Sequence, residues 1–517
     1  MTYQSKTVGR ALLSGAALAL CTGLAACGGT ASGGTTHSGG TLTIGQVASP
    51  DTLDAPNSQS AEAAQVLSLI TDTLYQLNPA DGGQTLVPGL ATGYSLSNGN
   101  RTWTFHLRHG VRFSDGQPMT STDVKFSLLN AKKGAAQGPV DGAIATVTTP
   151  DPYDVSITTT RPDAALLSTV SYYSNGVIPH NFAGETANAF WKRPIGTGPF
   201  AFANWDYGVS LTLTRNRHYW QSGLPHLSSV VFKPVAEDAS RIAGLRAGTL
   251  DAIESPPLSE VPALKQDAGV QIMVVPGAQD DSLYINASSG PLSNLTVRRA
   301  ISLAINRRQI AQGLLFGVGL PASAPLPLNE PLFGPRPAVT QTDTARAKQL
   351  LASTPYAHGF SMTLITAAGN ALASSIGQVL QQELAPLHIR LTVAPTDQSA
   401  AIADLQKGSY QAMFVPDTSG QIDPDVEAVV TSQNEPAELK ATLNFPQMSK
   451  LALQAEQEFD KITRERLYER YLQLYVQQYD PIPVIYEPQV VAVSNRVKNF
   501  RFVQGGYVLT AATVSGR

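Results

Sequence analysis

The chain has only two cysteines, Cys21 and Cys27, among 517 residues. Everything after residue 27 must therefore fold without a disulfide or a thiol metal site, held by an apolar core. Hydrophobic residues at 43% of the sequence are ample for that. Lys6 and Arg10 lead into an almost wholly apolar stretch at 11–20, and small residues then run up to Cys27. This is the three-part layout of a secretory signal, whose apolar part is too short to remain as a membrane span. Its removal leaves roughly 490 residues, more than one core usually serves, so two or three lobes are expected.

Leu24-Ala25-Ala26-Cys27 resembles the bacterial lipobox, which implies acylation of Cys27 as the first residue of the mature protein. Gly28 to Gly40 is built from glycine, serine and threonine with little else, the composition of a flexible tether. The expectation is a body on a leash, lipid-anchored to the cell membrane and facing the extracytoplasmic side. No later apolar run is long enough to span a bilayer. A net charge of -3 gives no reason to expect nucleic acid or an acidic surface as partner.

Catalytic and cofactor motifs are missing. The sequence has no G-x-S-x-G elbow, no phosphate-cradling loop, no H-E-x-x-H and no G-x-G-x-x-G opening a helix. His106 and His109 are three apart, but Trp103-Thr-Phe-His-Leu alternates like a strand, which sends odd spacings to opposite faces. His218 and His226 flank a tryptophan segment. No catalytic residue, metal site or cofactor is nominated, and weight moves toward binding.

Residues 40–45 read as a short strand, and Ser49-Pro-Asp-Thr-Leu-Asp-Ala-Pro as a turn-rich loop. Val66, Leu67, Ile70, Leu74 and Leu77 make a helical stripe over 61–77. Strands are expected at 103–108, 110–113, 153–159 and 209–215, with a turn at Ser114-Asp-Gly and a helix capped by Thr120 or Ser121. From about 291 the texture changes. Leu295 to Leu315 reads as one long helix, Asp343–Leu351 and Ala373–Leu384 as two more, and strands near 361–366, 389–394 and 410–415 alternate with them. A last long helix is expected at 451–479, followed by a returning strand at Pro481-Ile-Pro-Val-Ile-Tyr.

Several blocks, in order, resemble the bacterial extracellular solute-binding proteins of family 5, the peptide/nickel type. The longest runs from Trp103 through His106, Phe113, Ser114-Asp-Gly and Thr120 to Ser127. Leu86-Val-Pro-Gly-Leu-Ala precedes it. Pro194-Ile-Gly-Thr-Gly-Pro-Phe, Asn216 with Tyr219-Trp220, Leu245-Arg-Ala-Gly-Thr-Leu-Asp, Val297-Arg-Arg-Ala-Ile-Ser-Leu-Ala-Ile-Asn-Arg and Asp423-Pro-Asp follow. Most of these are scaffold: a turn, tight glycine paths, and at Asp423-Pro-Asp an N-cap followed by proline. The resemblance implies an α/β fold, a two-lobed periplasmic-binding-protein-like clamshell of type II with an inserted subdomain in the first lobe. Lobe 1 would gather 40–79, 193–285 and 480–517, the subdomain would be 80–192, and lobe 2 would be 286–479.

It also implies a receptor that captures a peptide or similar small polar solute and hands it to the permease subunits of an ABC importer, working as a monomer without a cofactor. A metal-chelate or haem-like ligand, or a sensory or enzymatic lipoprotein on the same scaffold, are the alternatives. Dipeptide-binding relatives hold both ends of a zwitterion with an aspartate and an arginine, since buried charges need partners. Those positions fall here on Gly420 and near Ala367, neither ionisable, which disfavours a free dipeptide. Ser49, Asp51, Tyr173, Asp417, Thr418, Ser419, Gln421 and Asp423 are the candidate ligand-binding residues, all in loops or at strand ends.

Overall fold

The structure is a computed structural model. It describes residues 39–515 apart from 59, 136, 139, 329–333, 419–421, 426–427, 429–445 and 505. Cys27, Ser419, Gly420 and Gln421 lie outside the described residues. Among the described residues no helix is long and apolar enough to cross a membrane.

One sheet of eleven strands runs through the molecule, with helices packed on it. Its order is Ile389–Thr396, Phe360–Ala367, Ala412–Asp417, Val270–Ile285, Ile482–Ser494, Ala252–Glu254, Thr41–Gln46, Ser229–Pro234, Ser210–Arg215 and Phe200–Asp206, with Leu320–Pro321 pairing to the side of Ile482–Ser494. Val270–Ile285 and Ile482–Ser494 are far longer than the rest and pair with each other antiparallel along most of their length. We call them the outgoing and returning crossing strands. The returning strand at 481 thus joins both the outgoing strand and Ala252–Glu254.

Apolar side chains gather on either side of this pair. One core takes Leu42, Ile44, Val66, Phe200, Val230 and Val493. Another takes Leu283, Ile285, Val297, Ile301, Leu364, Ile376 and Ile485. A four-stranded antiparallel sheet (Ala91–Ser97, Thr102–Leu107, Asp154–Thr159, Ile144–Asp151) has its own core around Trp103, Phe105, Val155 and Ile157. The helices Pro446–Glu456 and Lys461–Gln477 close a fourth around Leu451, Tyr468, Tyr471 and Tyr475.

Thr120 does cap a helix, Ser121–Ala131, with its backbone N–H donating to Asp123 Oδ2 at 2.7 Å. Four expected elements are corrected. The stripe over 61–77 is helical only to Ile70, because the N–H of Gly198 takes the Ile70 carbonyl at 2.9 Å and the chain turns extended, with Tyr75–Leu77 as a strand. A Cβ on Gly196 would lie 2.2 Å from that same carbonyl oxygen, so glycine is required for the approach. The helix 295–315 is two, Leu295–Ala304 and Arg307–Leu314. Ile305 is extended between them, and Asn306 caps the second by accepting from Gln309 N at 3.1 Å. The last long helix starts earlier, at Pro446, and breaks after Glu456, where Asp460 begins the next by accepting from Thr463 N at 2.9 Å. Residues 110–113 form no strand: Val111 and Phe113 are buried from irregular backbone, with an isolated bridge between Arg112 and Pro118.

Candidate functional site

The register of the sheet locates the site. Thr41–Gln46 and Ala252–Glu254 run parallel, and Glu254 sits opposite Val491, which faces Met273. Both short strands therefore end, at their carboxyl ends, level with residues 273–275 of the outgoing strand. From the other side, Ala412–Asp417 pairs antiparallel, with Asp417 opposite Asp280. Its carboxyl end therefore points back at the same stretch. Strands from the two halves thus end facing one seam, over residues 274–280 and 486–490 of the crossing pair. In open α/β sheets ligands sit outside the carboxyl ends of strands where the direction of chain progression changes.

That seam is irregular and polar. Pairing slips between Val275 and Gln279, where Gly277 adopts φ +61°. Gln279 and residues 487–489 are partly exposed, whereas the strand residues beyond them are mostly buried. Gln279 Nε2 donates to Asp281 Oδ1 at 2.9 Å and to Glu487 Oε1 at 3.0 Å. Burial, and then Glu487 beside it, holds the Asp281 carboxyl far above the ordinary carboxylate range, so it is protonated at neutral pH. On the opposite face Ser282 Oγ donates to Asp280 Oδ2 at 2.7 Å, and Tyr486 hydroxyl donates to Ala324 O at 2.9 Å.

Among the described residues, those nominated from sequence form two groups, with Asp423 apart from both. Ser49 and Asp51 lie in the loop leaving Thr41–Gln46. Ser49 Oγ accepts from Gly208 N at 3.1 Å. Asp51 Oδ1 accepts from Thr52 N at 2.8 Å and from Ser58 Oγ at 2.6 Å. Tyr173 joins them, its hydroxyl donating to Ser58 O at 3.0 Å, and burial, followed by Tyr172 and then the charge of Asp51, raises its phenol above the usual range. Beneath this loop Gln46 is fully buried and donates to Gln65 Oε1 at 2.8 Å, while burial pushes Glu254 up to about 8, with the Tyr507 hydroxyl donating to it. Asp417 and the exposed Thr418 end and follow the strand on the far side of the crossing pair. Ala367 ends the neighbouring strand. Asp423 is elsewhere engaged: Arg464 grips it through both terminal nitrogens at 2.6 and 2.7 Å, and both side chains are buried. His106 Nδ1 meets Asp154 Oδ1 at 2.8 Å on the exposed face of the four-stranded sheet.

Gln279, Asp281 and Glu487 were not nominated. Gln279-Asp-Asp-Ser inside an otherwise apolar stretch was the available signal, because consecutive carboxyls in a strand flanked by strands on both sides must be buried.

An α/β body whose two halves meet along one crossing strand pair, with strand ends facing the seam from both sides, is a two-lobed binding protein of type II. The family model for bacterial extracellular solute-binding proteins, family 5 Middle, matches residues 85–436. The chain belongs to this family of extracytoplasmic solute receptors. The glutathione-binding protein GsiB of Escherichia coli (strain K12) is 28% identical over 429 residues, which cover 80% of this chain and 82% of that protein. Among solved structures, HbpA2 from Haemophilus parasuis superposes with a TM-score of 0.82 at 22% identity, over 92% of this chain and 100% of that one. DppA from Helicobacter pylori, in complex with the peptide STSA, superposes with 0.75 at 22% identity, over 92% of this chain and 98% of that one.

Proposed function

We propose that the protein is the receptor of an ABC importer that closes two lobes over a peptide or similar small polar solute and delivers it to the permease. The observation that carries this is the convergence of strand ends on the seam at 274–280 and 486–490. Lobe 1 comprises 40–79, 193–285 and 480–517 with the subdomain 80–192, and lobe 2 comprises 286–479. It acts by binding rather than by catalysis, as a monomer held to the outer face of the membrane through lipid on Cys27.

Ser49, Asp51 and Tyr173 are assigned to binding from lobe 1, and Asp417 and Thr418, with their sequence neighbours Ser419 and Gln421, from lobe 2. Gln279 and Glu487 form the floor of the cleft, and Asp423 supports the lobe 2 side through Arg464. A peptide is favoured because loops of hydroxyl, amide and carboxylate groups match a chain of amide donors and acceptors. The GsiB relatives are named for glutathione, itself a peptide. A carboxylate-gripping arginine has no counterpart among residues 363–373, so main-chain hydrogen bonds and neutral side chains carry recognition.

Mass spectrometry of small molecules released on denaturing the purified protein, followed by isothermal titration with a panel of short peptides, tests this. One polar solute at one per chain is expected, bound with little dependence on salt because neutral contacts are barely screened. Failure of any retained solute or panel peptide to bind would overturn the reading. Tight, carboxylate-dependent binding of free dipeptides would overturn the part that omits an arginine anchor.

A further inference from the structure

Away from the crossing strands, a second contact joins distant parts of the chain. Residues 161–165, just past the strand Asp154–Thr159, meet the helices Pro446–Glu456 and Lys461–Gln477. Ala164 N donates to Glu456 O at 2.7 Å, Arg161 Nε to Glu456 Oε2 at 2.6 Å, and Arg464 Nη1 to Ala164 O at 3.5 Å. Phe459, between the helices, sets its ring 5.8 Å from that of Trp103.

Inside this contact Asp163, Asp425 and Glu456 face one another, each offering a carboxylate oxygen within 4.8 Å of the others. Asp163 Oδ1 accepts from Ala165 N at 2.9 Å, and Asp425 Oδ1 is buried without a hydrogen-bond partner among the described residues. With Asp423 there are four carboxyls. Facing them among the described residues are two guanidiniums, Arg161 and Arg464, the second already committed to Asp423, and the hydroxyl of Tyr468, which accepts from Arg464 Nη2 at 3.2 Å. Fully ionised, the cluster would hold two negative charges in excess at a largely buried contact, where repulsion is stronger than in water.

We propose that this contact is a pH-gated latch between the lobes, which holds while its carboxyl cluster carries protons and releases as they leave. It rests on the lobe assignment above, which puts 161–165 and 423–464 on opposite lobes. Burial pushes Asp163 up to about 7 and moves Asp425 and Glu456 upward as well. Once the lobes part, the same carboxyls meet water and return to the ordinary range near 4. The closed form therefore binds more protons than the open form between about pH 4 and pH 7. Over that window each extra proton changes the closed-to-open ratio by about tenfold per pH unit, toward closed as pH falls, and above it the advantage is gone. Because solute is held by the closed form, retention follows the same curve.

Spin labels on the full chain test this. Cys21 and Cys27 are replaced by serine, and cysteines are introduced at the exposed Ser97 and Lys348, one on each proposed lobe. Pulsed electron resonance without added solute is expected to give two separations, the shorter losing weight as pH rises from about 5 to about 8. Asp163→Asn with Asp425→Asn keeps the shape of the protonated acids, and the shorter separation should persist at every pH. Should that variant not fold, the titration of the parent decides alone. Two separations with pH-independent weights would overturn the latch and leave the lobes standing. A single separation throughout would remove the lobe assignment and the latch with it. Closure at high pH on adding calcium chloride would overturn the protonic latch in favour of a bridging cation.

Discussion

The Asp423 carboxylate accepts from Asp425 N at 3.1 Å, in the manner of the helix cap that its Asp-Pro-Asp setting suggests. Its second partner, Arg464, lies 41 residues further on and was not legible, because no local pattern records a long-range ion pair. Asp423→Ala should lower unfolding stability in urea by about 3 kcal/mol, since it removes both charge-assisted hydrogen bonds between buried side chains. Asp417→Ala should leave the urea midpoint in place and weaken only the binding of an amino-terminated solute in a titration. Glu254 gives a pH test of the fold. Its carboxyl, raised to about 8 by burial, is neutral in the folded state at neutral pH and ordinary in the unfolded chain. The folded form therefore loses relative stability as pH climbs from the ordinary carboxylate range to about 8. The melting temperature should fall over that range, and by less in Glu254→Gln; equal slopes in the two proteins would refute this assignment.

Elements were legible wherever one local pattern decided them, as in the strands Phe360–Ala367 and Ile389–Thr396 and the helix Ala371–Leu384. Apolar periodicity could not mark breaks made by distant groups: the Gly198 N–H at Ile70 lies 128 residues away in sequence. Asn306 was a local signal, outweighed by the apolar stripe running past it. Asn306→Ala removes the side chain that caps Arg307–Leu314 and should cost about 1 kcal/mol, read from the shift in urea midpoint. The outgoing crossing strand went unread as one element because Gln279-Asp-Asp-Ser interrupts its apolar run. Gly277 is the residue that lets it bend. At φ +61° an added Cβ would meet the Leu328 side chain at 2.5 Å, and the left-handed backbone alone costs a non-glycine residue about 1–2 kcal/mol. Gly277→Ala should lower the melting temperature and alter solute affinity together.

At the scale of the whole molecule, the change of texture near 291 and the return of a strand near 481 correspond to real features. Residues 295–414 supply most of one core, and Ile482–Ser494 passes from that core to the other. The blocks from Trp103 to Ser127 and at Pro194 resemble the family and here form a helix cap and close backbone approaches at Gly196 and Gly198. The cleft chemistry was less legible, since it depends on which strand ends face each other, and that follows from register rather than from any motif. On the proposed function two lobes close across the crossing strands on a solute. Small-angle X-ray scattering of the purified protein, with and without a saturating amount of the solute that it retains, tests this most directly. A smaller radius of gyration in the bound form is predicted, and a scattering profile unchanged at saturation would contradict it.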